Sequence, residues 1–444
     1  MQNKKNLIIL IEVKKRELIS KLVLSEIALK NKYRIFICNT SSYFWALKKK
    51  ILPKGIILLK SIEQKDIKFL TECKKNNFHV VCQDEEGGQV RTSIANFFKQ
   101  RVSYKTLKLI SSFYSWGKLD NKYPMNKFKK FKSKFKLTGS PRIDLLNKKL
   151  NFLFHQDVKQ LKKKYKNYVL ICTNFGLSNG YFTDDEKIKI EIKVRGLKKK
   201  SEINWLKNYL KEERKLMFEF IDLCNFLSKS FKNLNFILRP HPAENLAIYK
   251  EYIKGKNVII TNKGNSIKWI RGAIAHIHNG CTTGFEAFAL KKKVFSYEPF
   301  KSKFIDNTIS NKVSYRIKNK KNFTKKIFNN KKPNFYDLNK KNIFNQRYRF
   351  ENELNCNEII KNLDELNSYK TKFEYDHKKF LFKKFKQFIE FKLFDYQFKS
   401  KYYKEKNKMI NYTEITNFFK KSKNSKNILI KELINGLYLL ETKN

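Results

Sequence analysis

Continuous apolar runs, rather than alternating ones, mark the strands of this chain. Residues 7–13 read LIILIEV, and RIFICN (34–39), GIILLKS (55–61) and FHVVCQ (78–83) repeat the type at intervals. A run that is apolar on both faces predicts a strand covered on both sides, as in a parallel sheet. Between the first two runs, KRELISKLVLSEIALKNK places Leu18, Leu22, Ile27 and Leu29 on one broad helical face. Strands alternating with helices predict a doubly wound α/β domain over residues 1–150. A second alternation begins with YVLICTN (168–174) and passes through a charged, mostly helical insertion to LNFILRPHP (234–242), NVIITN (257–262), AIAHIHN (273–279) and VFSYEP (294–299). It predicts a second such domain over 151–325, and two in tandem enclose a cleft at the carboxyl ends of their strands, where open α/β sheets bind ligands. Beyond residue 325 the pattern weakens, and 326–444 reads as a basic, aromatic-rich, mostly helical extension. Within it, FLFKKFKQFIEFKLFDYQFKSKYYKEK (380–406) reads as a helix whose apolar residues either pack on the preceding domain or lie in a membrane interface. The last forty residues read as a helix or two.

Composition refines this picture without redirecting it. Hydrophobic residues at 41% and aromatics at 15% exclude a disordered chain. Lys and Arg number 97 against 40 Asp and Glu, a formal net charge of +57, which points to an anionic partner: nucleic acid or an anionic membrane surface. The excess is mostly Lys, spread along the chain among abundant Asn, Ile, Phe and Tyr, as an AT-rich genome would encode. Lys rather than Arg argues against base readout, and no nucleic-acid-binding signature is present, so no specific nucleic acid is expected. Seven cysteines (38, 73, 82, 172, 224, 281, 356), odd in number and without a CxxC, suit reduced thiols in a cytoplasmic protein rather than disulfides or zinc. The N-terminal MQNKKNLIILIEVKKREL is interrupted by Glu12 and lacks a small-residue cleavage site, so it reads as a first strand and not a signal peptide. No apolar stretch reaches the roughly 18 residues needed to span a membrane.

Only 14 glycines occur, yet Gly280 and Gly284 bracket Cys281, Thr282 and Thr283 in IHNGCTTGFEAFALKKK. The run before them reads as a strand and FEAFALKKK as a helix, so NGCTTG is a strand-to-helix turn. Glycines admit a ligand to the backbone, and N–H groups and Thr hydroxyls at a helix start receive phosphate. Glu286, one turn in, is placed for a ribose diol. The competing assignment is a capping box, Thr283-x-x-Glu286, in which both side chains serve their own helix. The nucleotide-kinase loop GxxxxGK[ST] is absent. In ILRPHP (237–242), Arg239 and His241 are two apart on an extended backbone, a cation beside an imidazole suited to clamp a phosphate and protonate it as it leaves. VVCQDEEGG (80–88) sets Asp84, Glu85 and Glu86 after a strand, as a candidate general base or cation holder against a solvated acidic turn. Glu12, four residues before Arg16, is a second candidate base against a helix-start ion pair. His276 and His278 lack a third ligand for a metal, and Cys281 lacks a dedicated base.

TGSPRIDLL (138–146), ILRPHPAE (237–244) and HNGCTTGFEAFALKKKVFSYEP (278–299) together resemble the ordered landmarks of bacterial surface carbohydrate biosynthesis proteins with the two-domain GT-B fold. EVKKREL (12–18) and the DEEGG segment are similar to that family too, and the likeness spans roughly residues 5–300. The series is also similar to CDP-glycerol glycerophosphotransferases and, more distantly, to Kdo transferases and UDP-GlcNAc 2-epimerases. The resemblance implies a nucleotide donor in the C-terminal domain and an acceptor, beside Glu12 and Arg16, in the N-terminal one. Arg239 and His241 match its donor-phosphate site, Thr282 and Thr283 its hydroxyl pair between Gly280 and Gly284, and Glu286 its ribose-binding acid. Glycerophosphotransferases carry Ser-Ser and Asp where this chain has Thr-Thr and Glu, which shifts the expected donor toward a nucleotide-activated sugar. The resulting expectation is a cytoplasmic glycosyltransferase, peripheral to the inner face of the plasma membrane, acting on a glycan or lipid-linked acceptor. It uses no metal or cofactor. The alternatives are a polyol-phosphate transferase and a non-catalytic basic protein bound to membrane or nucleic acid.

Overall fold

The computed structural model describes residues 3–87, 94–195, 199–305, 308–329, 333–366, 370–395 and 408–443. The apolar runs form the expected strands. The first six, β1 (Lys4–Ile11), β2 (Tyr33–Asn39), β3 (Ile56–Leu59), β4 (His79–Gln83), β5 (Ser112–Ser115) and β6 (Phe135–Leu137), are all parallel and lie side by side as β2-β1-β3-β4-β5-β6. β1 sits inside this sheet with Leu7 to Ile11 buried, as its two-faced hydrophobicity requires. Winding reverses between β1 and β3, so the loops after these two strands diverge there.

The next six strands belong to a second compact unit, Phe154–Phe344. They are β7 (Tyr168–Cys172), β8 (Asn235–Arg239), β9 (Val258–Ile260), β10 (Ala275–His278), β11 (Lys293–Tyr297) and β12 (Tyr315–Ile317). Their order, β12-β11-β10-β7-β8-β9, is the 3-2-1-4-5-6 winding of dinucleotide-binding sheets, with its switch point between β7 and β10. The register pairs Cys172 with both His278 and Arg239, so three strands end level and their following loops meet. Helix Lys200–Ser230 presents Leu206, Leu210, Glu213, Met217, Phe220, Cys224 and Leu227 to the interior, a stripe spaced four and three residues apart. The one acid in that stripe is satisfied: Glu213 accepts from the Ser178 N–H at 2.9 Å and the Tyr209 hydroxyl at 3.1 Å.

The described part of region 326–444 is mostly helical, as expected, but it is no separate extension and it ends in strands. Residues up to Phe344 complete the second unit, and from Asn345 the chain returns to the first, which otherwise ends at Leu153. Helix Asn355–Asp364 is capped by Asp144, which accepts from the Asn355 and Cys356 N–H groups at 2.7 and 2.8 Å. Strand β13 (Lys370–Thr371) pairs antiparallel with the start of β1. The final residues form helix Tyr412–Lys421 and then a hairpin, β14 (Ile428–Ile434) and β15 (Leu437–Thr442), whose β15 extends the sheet antiparallel to β2. The physical reason is the two-residue Asn435-Gly436 loop, with Gly436 at φ +71°, between runs that pair better as strands than as helices. Helix His377–Asp395 packs on this hairpin; residues 396–406 of the predicted 380–406 helix lie outside the described residues, as does Gly88. All seven cysteines are buried and none is in a disulfide. Among the described residues no helix is long and apolar enough to cross a membrane.

Candidate functional site

Each unit gathers predicted residues at its own switch point. In the first, Glu12 follows β1 and forms an ion pair with Lys60, which follows β3. The Glu12 and Val13 N–H groups donate to Glu17 at 2.8 and 3.2 Å, so Glu17 caps the helix Lys14–Lys30 from inside its first turn. Arg16 touches the same carboxylate through Nη2 at 3.3 Å and not Glu12. The predicted acids split by environment. Lys21 and Glu85 form a buried ion pair at 2.6 Å, and Arg142 donates to the Glu85 carbonyl at 3.2 Å. Burial alone would raise Glu85, but Lys21, then Arg142 and Arg16, outweigh it and hold the carboxyl below its ordinary value. Glu17, raised by burial and then by the charge of Glu85, goes the other way.

Asp84 is equally committed. Arg101 Nε donates to its Oδ2 at 2.6 Å, the Glu86 N–H to its Oδ1 at 2.9 Å, and Trp116 Nε1 to its carbonyl at 2.6 Å. Burial raises Asp84 to about 6 despite Arg101. Of the three acids, Glu86 alone reaches solvent, its side chain 49% exposed and 3.4 Å from Arg101. Asp84 and Glu85 therefore build the turn after β4. The segment TGSPRID serves the same end, since Arg142 braces this turn and stacks its guanidinium 5.5 Å from the Trp116 ring. Glu17 and Lys21 escaped the sequence reading; their spacing of four on one helix, following EVKKR, was the available signal.

In the second unit the NGCTTG turn sits at the switch point. Gly280 adopts φ +92°, and its N–H donates to His278 Nδ1 at 2.8 Å. His278 Nε2 bonds Ser314 Oγ at 2.8 Å, and that hydroxyl donates to the Ser310 carbonyl at 2.6 Å. His276 Nε2 meets Thr283 Oγ1 at 3.1 Å. Burial holds both rings neutral, His278 pushed down to about 3 and His276 lowered further by the neighbouring His278. Among the described residues no group of three or more His, Cys, Asp or Glu is placed to hold a metal ion. The Cys281 thiol, pushed up to about 11 by burial, contacts Thr283 Oγ1 at 2.7 Å and donates to the Cys172 carbonyl at 3.7 Å, tying β10 to β7.

The capping-box assignment fails here. The N-cap of helix Thr283–Ala289 is Thr282, one residue earlier than the box requires, and it makes no side-chain cap. Glu286, buried, instead accepts from Ser266 Oγ at 3.0 Å. The predicted phosphate clamp at Arg239 is also reassigned: Nη1 and Nη2 donate to the carbonyls of Lys263 and Gly264 at 2.8 and 2.9 Å, and the guanidinium lies 5.2 Å from the Trp269 ring centre. Loop 263–266 thus joins Arg239 to Glu286, a link missed from sequence although Gly264 within NKGNS marked a turn. His241 remains exposed. Its Nδ1 accepts the Ala243 N–H at 3.2 Å, which in the neutral ring places the proton on Nε2. Glu244, also missed, fixes that turn: it accepts from the His241 N–H at 2.7 Å and from Thr173 Oγ1 at 3.1 Å, and burial raises it to about 7. Gly284 makes room for a side chain rather than a ligand, because a Cβ there would lie 2.5 Å from His278 Nε2.

No family model and no curated protein matches this sequence. Among solved structures, a variant of the wall teichoic acid polymerase TagF is similar at 12% identity and a TM-score of 0.50, over 82% of this chain and 89% of that one. UDP-GlcNAc 2-epimerase from Methanocaldococcus jannaschii, solved with UDP-GlcNAc and UDP, matches at 14% identity and a TM-score of 0.49, over 81% of this chain and all of that one. A putative UDP-N-acetylglucosamine 2-epimerase from Listeria monocytogenes matches at 11% and 0.49, over 81% and 96%. At such identity the TagF likeness concerns the fold, and it agrees with the two Rossmann-like units: the chain has a GT-B-like fold.

Proposed function

We propose that this chain is a nucleotide-sugar-dependent glycosyltransferase that moves a sugar to a growing surface polysaccharide or its lipid-linked precursor. The observation that carries the reading is the helix start at the β7/β10 switch point. Its N-cap residue, Thr282, makes no side-chain cap, and Glu286 accepts from Ser266. Ligands of such sheets bind outside the carboxyl ends of the strands at the switch point, and helix starts favour phosphate. In this scheme the donor diphosphate meets the turn Gly280–Thr282, and Glu286 receives the ribose diol. His241, its proton on Nε2, donates to the departing phosphate while positive charge develops on the sugar. Arg239 acts by positioning loop 263–266 rather than by touching the donor. Of the first unit's acids we assign Glu86, the exposed one, to take the acceptor's proton.

Thermal-shift titration with UDP-, GDP-, CDP- and CMP-linked donors tests the proposal. One donor class should stabilise the chain, and Glu286→Gln should weaken its binding by roughly 10- to 150-fold, the worth of a hydrogen bond to a charged group. Glu86→Gln should lower turnover with donor affinity unchanged. If no nucleotide-linked compound stabilises the protein, or Glu286→Gln binds as tightly as the native chain, the reading is wrong. The fold likeness to a teichoic acid polymerase favours one rival, a polyol-phosphate transferase. Release of CMP from CDP-glycerol would identify it.

A further inference from the structure

Helix His377–Asp395 has two unlike faces. One holds it to the first unit. Phe380 is buried and stacks on Tyr375 with ring centres 5.3 Å apart. Gln387, fully buried, accepts the Asn435 N–H at 2.9 Å and donates to the Asn435 carbonyl at 3.2 Å. Lys384 pairs with Glu432 at 2.6 Å, and Trp45 Nε1 donates to Glu390 at 2.6 Å. These four anchors fix the rotation of the helix about its axis.

The other face carries Leu381, Phe382, Phe385, Phe388 and Ile389, exposed by 59, 69, 62, 48 and 43%. At roughly 100° per residue these five positions share an arc of about 120°. Lys378 and Lys392 fall near the middle of that arc, one before and one after the stripe along the helix, and Lys379 and Lys386 both lie beyond its Phe382 edge. Single exposed apolar residues are ordinary, but a contiguous stripe of five aliphatic and aromatic residues over about two and a half turns of a firmly anchored helix marks an interaction surface. Charge selects what covers it. A second copy of this chain would bring lysine against lysine, in a protein already at +57. An anionic lipid surface satisfies both groups at once: the apolar arc enters the headgroup–acyl boundary, and the lysines reach back to the phosphates.

We propose that helix His377–Asp395 docks the protein on an anionic bilayer, lying in the interface plane with the Leu381–Ile389 stripe inserted. Co-sedimentation of the full chain with phosphatidylglycerol and phosphatidylcholine vesicles tests it. The comparison variant is Leu381→Ser/Phe382→Ser/Phe385→Ser/Phe388→Ser, which keeps every lysine. The native chain should prefer phosphatidylglycerol and stay bound in part at about 0.5 M salt, where screening has weakened purely ionic attachment. The variant should bind at least tenfold more weakly with an unchanged melting temperature. As an independent reporter that tolerates folding defects in the quadruple variant, Phe382→Trp should show a blue-shifted emission on adding phosphatidylglycerol vesicles. Equal binding by native and serine-substituted chains would overturn the proposal in favour of general electrostatic attraction. So would failure of the native chain to bind, an unshifted Phe382→Trp emission, or a stripe-dependent dimer that ignores lipid.

Discussion

Replacing Gly284 by Ala should destabilise the second unit, although the position lies in a helix where Ala is intrinsically preferred. A Cβ at Gly284 would stand 2.5 Å from His278 Nε2, 2.7 Å from Cδ2 and 2.8 Å from Cε1. The ring has nowhere to retreat: it is fully buried, and its two nitrogens are held at 2.8 Å by the Gly280 N–H and by Ser314. Three effects compete. Helix preference favours Ala over Gly by about 1 kcal/mol. Overpacking a filled interior costs about 1–3 kcal/mol. Relieving the clash moves the ring off its partners, and a buried partner left unpaired costs about 1–3 kcal/mol more. The two penalties together, less the preference, give a net loss of roughly 1–5 kcal/mol. Urea unfolding measures it, and a double-mutant cycle assigns it: in a His278→Ala background the added methyl has room, so most of the cost should vanish. A neutral or stabilising Gly284→Ala, or a cost that is the same in both backgrounds, would refute this account of why the turn needs a second glycine.

Arg239→Lys should lower stability by about 1–3 kcal/mol in the same assay, because an ammonium cannot serve two carbonyls and a ring face together; a change under about 0.5 kcal/mol would show that loop 263–266 does not depend on it. Glu244 gives a pH dependence with a definite sign. Its folded value of about 7 lies above the ordinary value of 4.5, so between these limits the folded chain holds a proton that the unfolded chain releases. Its contribution to stability is complete below about 4.5 and is lost as pH rises through about 7. The stability difference between the native chain and Glu244→Gln should therefore shift against the native chain over that window, and a difference flat from pH 4.5 to 7.5 would contradict the assignment.

The strands that were plain in the sequence are those buried on both faces, where hydrophobicity alone suffices: LIILIEV, YVLICTN and AIAHIHN each lie where predicted. Shorter strands such as β5 and β6, SFYS and FKL, carry too few residues to show a period. The terminal hairpin lies where a helix or two was expected, although Asn435-Gly436 between apolar runs is a strong local turn signal. Within the sites, residue types were legible but partners were not. Arg239 was singled out as a phosphate clamp and Asp84 as a candidate base, yet which backbone carbonyl or guanidinium meets each depends on loops distant in sequence. Gly284 was noticed for its small size, but the group that needs the space, His278, appears only when β10 and the helix after it are packed together.

The return of the chain to its first unit bears on how the protein is made. The second unit is one uninterrupted segment and can close as soon as it leaves the ribosome. The first cannot: the outer edge of β2 waits for Leu437–Leu440, and until they emerge its N–H and C=O groups are an open template for other chains. Residues made before the second unit thus belong to the unit that is finished after it, so the interval between Tyr33 and Leu437 is when a nascent chain of this protein most needs a chaperone.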